Sequence, residues 1–120
     1  MELLKQDPSK EWKHVLVFIH FPAFAVDFSW DNMSMILQNG EEFHKLLVDS
    51  GKVKGVFFGH VHRNVYFVRD GIAYSSAAST FCNFLIHPNE KAPQFSAAGT
   101  PSFNLVTVSE GSLVVKQYSI

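Results

Sequence analysis

The sequence predicts an α+β fold, a mixed β-sheet carrying one helical layer, and three observations predict it. Two short apolar runs, residues 15–19 and 53–58, lack the polar alternation of a half-solvated strand and so read as strands covered on both faces. A single helical pattern separates them. Two hairpin signals follow the second run, and a β-α-β start continued by hairpins gives one mixed sheet of about five to six strands.

Taken in order, residues 5–13 contain Asp7-Pro8-Ser9 and read as a loop or a helix tail, because Pro8 lacks an N–H and biases Asp7 away from helical dihedrals. The first strand, residues 14–19, is β-branched and aromatic and stops at His20-Phe21-Pro22. Capping-type residues at 29–32 precede apolar positions at Met35, Ile36, Phe43, Leu46 and Leu47, and Gly51 stands where a left-handed C-cap belongs. Gly40 weakens the middle of this pattern, which predicts a broken turn and then a helix over about residues 41–49. The second strand, residues 53–58, ends at Gly59. Asp70-Gly71 lies between β-prone residues 63–69 and 72–75, a strong short-range hairpin signal. Residues 77–83 are small and polar and read as loop, and residues 87–101, with three prolines, read as a long irregular connection. A closing hairpin pairs 103–108 with 113–118.

Composition narrows the function classes. A chain of 120 residues, 47% hydrophobic and 14% aromatic, is one domain with ample core material, which excludes disorder. Ten Lys and Arg against eleven Asp and Glu leave a net charge of -1, so no field favours a nucleic acid or an anionic membrane surface as partner. No apolar run approaches the ~18 residues of a membrane span, and residues 1–12 lack the apolar stretch of a secretory signal. The one cysteine, Cys82, excludes an internal disulfide and points to a reducing compartment, the cytoplasm. Twelve of the aromatics are Phe, more than a small core hides, so some are expected at the surface or against a partner.

Six histidines supply the candidate chemistry. His44 in the predicted helix and His87 before a proline read as solvated, and His14 as a structural residue opening a strand. His20, His60 and His62 differ, because each follows directly on a buried apolar run, and the ends of adjacent strands converge on one rim. In an extended segment the period-2 spacing of His60-Val61-His62 turns both imidazoles to the same side, with Gly59 allowing a tight turn before them. Imidazole nitrogens so placed can hold one divalent ion or two neighbouring ions. Two other readings stay open: a pair of surface histidines at a strand end, and a mononuclear three-histidine zinc site with water in the fourth position. No carboxylate stands beside these strand ends in the sequence, and Asp27 and Asp31 lie after Pro22 in a Phe-rich loop.

The strand ending in His20-Phe21-Pro22, the helix, and the strand ending in Gly59-His60-Val61-His62-Arg63 together resemble the last two motifs of the calcineurin-like metallophosphoesterases, most closely the bacterial cyclic-nucleotide phosphodiesterases. Residues 72–84 and the final hairpin resemble the tail of that branch, so the resemblance covers nearly the whole chain from about His14. It implies half of a four-layer αββα sandwich with a pair of divalent ions, Mn, Fe or Zn, at its edge. His20 and His60 would bind one ion and His62 its neighbour. The reaction implied is hydrolysis of a phosphoester, such as a 3',5'-cyclic nucleotide, with both ions drawing off the charge of an in-line displacement.

Two departures accompany it. Phe21 stands where the branch commonly has a second His, and the family's earlier Asp-x-His, Gly-Asp-x-x-Asp and Gly-Asn-His motifs do not occur in these 120 residues. The chain therefore reads as the C-terminal part of such an enzyme, with weak metal binding and no activity expected by itself. Its expected partners are the missing N-terminal half, or a second copy covering the bare sheet face. A binding module that keeps the fold without the chemistry is the rival reading.

Overall fold

The computed structural model describes residues 13–26, 36–85, 94–96 and 99–120. Over these residues it is a mixed α+β arrangement with one helix, compatible with a half-sandwich. The elements run β1 (Val15–Phe18), α1 (Gly40–Ser50), β2 (Val53–Phe58), β3 (Val65–Arg69), β4 (Ile72–Ser76), β5 (Asn83–Leu85), β6 (Gln94–Ser96), β7 (Ser102–Val108) and β8 (Leu113–Ser119).

The main sheet has the order β1-β2-β4-β3, with β2 parallel to both β1 and β4, and β3 antiparallel to β4. Alternate side chains of its strands face α1 and form the core: Val15, Val17 and Ile19, then Val56 and Phe58, Ile72 and Tyr74, Val65 and Phe67. Leu47 of α1, 1% exposed, packs into this cluster with Ala23 and Val61. The helix starts where the backbone is closest. A Cβ on Gly40 would overlap the Ala23 carbonyl oxygen, so glycine at this position lets α1 lie directly on the segment that follows β1. Glu41 and Glu42 in the first turn suit the positive end of the helix, and Gly51, with φ 64°, ends it by donating its N–H to Val48 O at 3.0 Å.

Position 70 carries φ 48° and Gly71 φ 77°, the pair of left-handed dihedrals that a two-residue hairpin turn between β3 and β4 requires. Arg69 beside the turn reaches back to the helix, donating to both Glu41 carboxylate oxygens at 3.0 and 2.8 Å, and its guanidinium lies 4.0 Å over the Phe24 ring.

Three expectations need correction. Among the described residues the main sheet has four strands rather than five or six, because β7 and β8 pair there with each other, as β5 and β6 do. The closing hairpin instead lies across the sheet face away from α1, with Leu113 over Gly55 and Asn104 donating to Ser75 Oγ and Ser76 O, both at 3.3 Å. The connection expected to be irregular contains β6, paired with β5. The third concerns His44, which is buried at 4% exposure rather than solvated, since it shares a helix face with Leu47 and meets polar partners on β4 and the β3-β4 turn. His87, Asp27 and Asp31 lie outside the described residues.

Candidate metal-binding rim

The rim is built where the parallel ladder between β1 and β2 runs past the ends of both strands. Ile19 N–H donates to Phe57 O at 2.9 Å, and Gly59 N–H to His20 O at 3.0 Å, so residues 20 and 60 emerge side by side. His20 Nε2 and His60 Nδ1 are 3.2 Å apart, with ring planes at 78°. Two nitrogens on one tetrahedral ion, each bonded at 2.0–2.1 Å, would be separated by about 3.3 Å. The spacing and chemistry of this donor pair therefore fit a shared divalent ion as well as a direct hydrogen bond.

His62 has a different partner. Val61 N–H closes a tight turn on Gly59 O at 2.8 Å, and the two histidines flanking Val61 adopt left-handed dihedrals, φ 67° at His60 and φ 49° at His62. The segment is not extended, so the period-2 argument that set both imidazoles on one side does not apply to it. His62 Nδ1 donates to Cys82 O at 2.9 Å and lies 3.5 Å from the Cys82 sulfur. Among the described residues, no group of three or more His, Cys, Asp or Glu side chains is gathered as a metal cluster. Of the three sequence candidates, the structure brings His20 and His60 together and places His62 against Cys82. A Cβ on Gly59 would make only ordinary contacts with His20, so close approach is not what that glycine provides.

Left-handed dihedrals at two non-glycine residues cost on the order of 1 kcal/mol each and persist only where the surroundings impose them. Here the imposing contacts are Val61, buried at 1%, and the Cys82 carbonyl. Phe21 forms a wall of the rim, its ring 4.5 Å from that of His60 and 5.0 Å from that of His20. Cys82 is held by the loop after β4, in which Ser79 Oγ accepts from Phe81 N at 3.1 Å and Cys82 N at 3.2 Å, while Asn83 Oδ1 accepts from Ser79 N at 3.0 Å. In the sequence this loop stood out by its small polar composition and by the resemblance of residues 72–84, neither of which marks its bond to His62. No described helix is long and apolar enough to cross a membrane.

No family model matches the chain. Among curated proteins it is similar to a probable cyclic nucleotide phosphodiesterase of Ruthia magnifica subsp. Calyptogena magnifica, 31% identical over 72 residues, 60% of this chain and 30% of that protein. It is also similar to a 3',5'-cyclic-nucleotide phosphodiesterase of Nostoc sp. strain PCC 7120, 32% identical over 69 residues, 58% of this chain and 26% of that protein. The similarity thus spans under a third of either relative, and it points to cyclic nucleotide phosphodiesterases as the group this chain resembles.

Proposed function

We propose that this chain is part of a metal-dependent phosphodiesterase of the calcineurin-like type, acting on 3',5'-cyclic nucleotides, to which it contributes His20, His60 and His62. The observation that carries the reading is the His20–His60 nitrogen pair, 3.2 Å apart at the adjoining ends of two parallel strands. Both relatives named as cyclic nucleotide phosphodiesterases support the substrate class.

The residues divide the work by position. A bound divalent ion pair would supply charge neutralisation at the phosphoryl oxygens during in-line displacement. His20 and His60 would hold one ion, their rings kept at a fixed angle by Phe21 and by the backbone bond between Gly59 and His20. His62 would serve the neighbouring ion through its Nε2, since its Nδ1–H is already committed to the Cys82 carbonyl, a bond that fixes tautomer and ring direction.

The reading is tested by a graft. The matching stretch of the Nostoc enzyme is replaced by this chain's own, and hydrolysis of a 3',5'-cyclic nucleotide is assayed. Retained turnover that His60→Ala abolishes is the expected result; a folded graft without turnover counts against it.

A further inference from the structure

We infer that Phe21 and Phe81 are stacking surfaces for the planar base of the nucleotide, so that this chain carries a base-recognition element beside its metal ligands. The inference rests on the function proposed above and adds to it the part of the substrate that the rings select.

Phe21 is 39% exposed although its ring meets two imidazoles, edge-on at 77° to His20 and tilted at 53° to His60, so part of the side chain is open to a ligand beside them. Phe81 is 88% exposed, the most exposed large apolar side chain among the described residues. Its exposure is not that of a slack loop. The backbone N–H groups of Phe81 and Cys82 are both tied to Ser79 Oγ, and Ser79 is tied in turn to Asn83. Ala78 N–H donates to Asn64 Oδ1 at 2.8 Å, anchoring the same loop to the segment that follows His62. A loop held this firmly presents a phenyl ring to water, and the residue after it bonds His62.

Each ring is thus joined to a phosphate-handling histidine, Phe21 by direct contact and Phe81 through the backbone of its neighbour. An aromatic ring offers no hydrogen bonds, so it contributes nothing to holding phosphate or metal. It does offer a π-face, on which any base stacks, worth a factor of about 5 to 150 in affinity per base. The sequence places Phe21 directly between His20 and Pro22, where a polar side chain would extend the ligand set instead.

The test is an NMR titration of the full chain, with zinc present, against adenosine, 3',5'-cyclic AMP and inorganic phosphate. Ring protons of Phe21 and Phe81 are expected to shift with adenosine and cyclic AMP but not with phosphate. Phe21→Leu and Phe81→Leu keep apolar packing and are each expected to weaken adenosine binding about 5- to 150-fold, with phosphate binding unchanged in Phe81→Leu, whose link to His62 runs through the Cys82 backbone. Absence of ring shifts up to the solubility limit of adenosine, or unchanged adenosine affinity in both variants, overturns the inference. Zinc-induced shifts of His20 and His60 in the same samples report on the metal reading separately: their absence with ring shifts intact sinks that reading alone, and the reverse sinks the stacking surface alone.

Discussion

Tyr74 Oη lies 2.7 Å from His44 Nδ1, joining the centre of α1 to the centre of β4 through two buried polar side chains. Burial pushes the Tyr74 phenol up to about 12, with Arg69 opposing and Asp70 and Glu41 adding to the rise, so at neutral pH the hydroxyl has its proton to donate. The imidazole then accepts at Nδ1 and donates from Nε2 to Asp70 Oδ2, 2.8 Å away. Phe24 packs edge-on against both rings.

Removing either partner leaves a buried polar atom without its bond. Tyr74→Phe is expected to destabilise the fold by about 1–3 kcal/mol, the cost of stranding the His44 nitrogen, with little change in packing. Urea unfolding should show a lower midpoint at an unchanged slope. A midpoint equal to that of the parent chain would mean that the bond contributes nothing.

The same phenol gives a pH dependence. Its folded value lies above the ordinary 10.0, so between about pH 10 and 12 the unfolded chain loses a proton that the folded chain keeps. The unfolded state then binds fewer protons, and stability falls as pH rises through that window. Tyr74→Phe should flatten this part of the stability profile; an identical slope in both proteins would assign the alkaline loss to other groups.

How far the sequence was legible depended on whether a signal was local. Val53–Phe58 was bounded correctly because every residue but Lys54 is buried and the run from Val56 is wholly apolar, and the Asp70-Gly71 turn because its dihedrals are chemically restrictive. Strand ends placed His20 and His60 on one rim together with His62, and the separate pairing of the first two came only with the family resemblance. The burial of His44 did not, because its partners lie 26 and 30 residues away and one histidine in an amphipathic helix looks like any other polar residue. The turn at His60 and His62 was also hidden, since left-handed dihedrals at histidine leave no mark in a pattern of residue types.

Metal binding should depend on the pair. Two imidazoles without a carboxylate to balance the ion's charge are expected to bind zinc weakly, and His60→Ala should remove that binding in a calorimetric titration. Tight stoichiometric binding that survives the substitution would place the ion elsewhere.

Catalysis should be absent from the chain by itself. The residue pattern that would hold two ions ~3.5–4 Å apart includes a bridging carboxylate, and the motifs carrying it do not occur in this sequence. Bis-p-nitrophenyl phosphate with Mn should therefore turn over at background rate. Turnover that His62→Ala abolishes would reverse this and restore the three-histidine site.

The last prediction concerns the sheet face away from α1. Period-2 alternation puts Phe18, Tyr66 and Val68 on that face, and they are 72%, 63% and 58% exposed. Phe18 stacks on Phe57 at 5.2 Å, and the closing hairpin leaves a cleft of about 680 Å³ lined by Tyr66, Val68, Ala73 and Ser75 on the sheet side and Leu113 and Val115 on the other. The hairpin's outer surface is apolar as well, with Phe103 and Tyr118 stacked at 5.4 Å and about half exposed. Covering about 800 Å² of such surface offers on the order of 20 kcal/mol before the costs of association, enough to hold a partner even after a large discount. A second copy is the simplest partner for an isolated chain, because a two-fold axis lets the same patch serve both molecules and leaves no open end. Light scattering over a dilution series should find a dimer that Val68→Lys disperses, since a lysine there sets like charges facing each other across the axis. A particle of 13.5 kDa at the highest concentration, binding no hydrophobic dye, would instead mean that the closing hairpin already covers enough of this face to keep the chain monomeric.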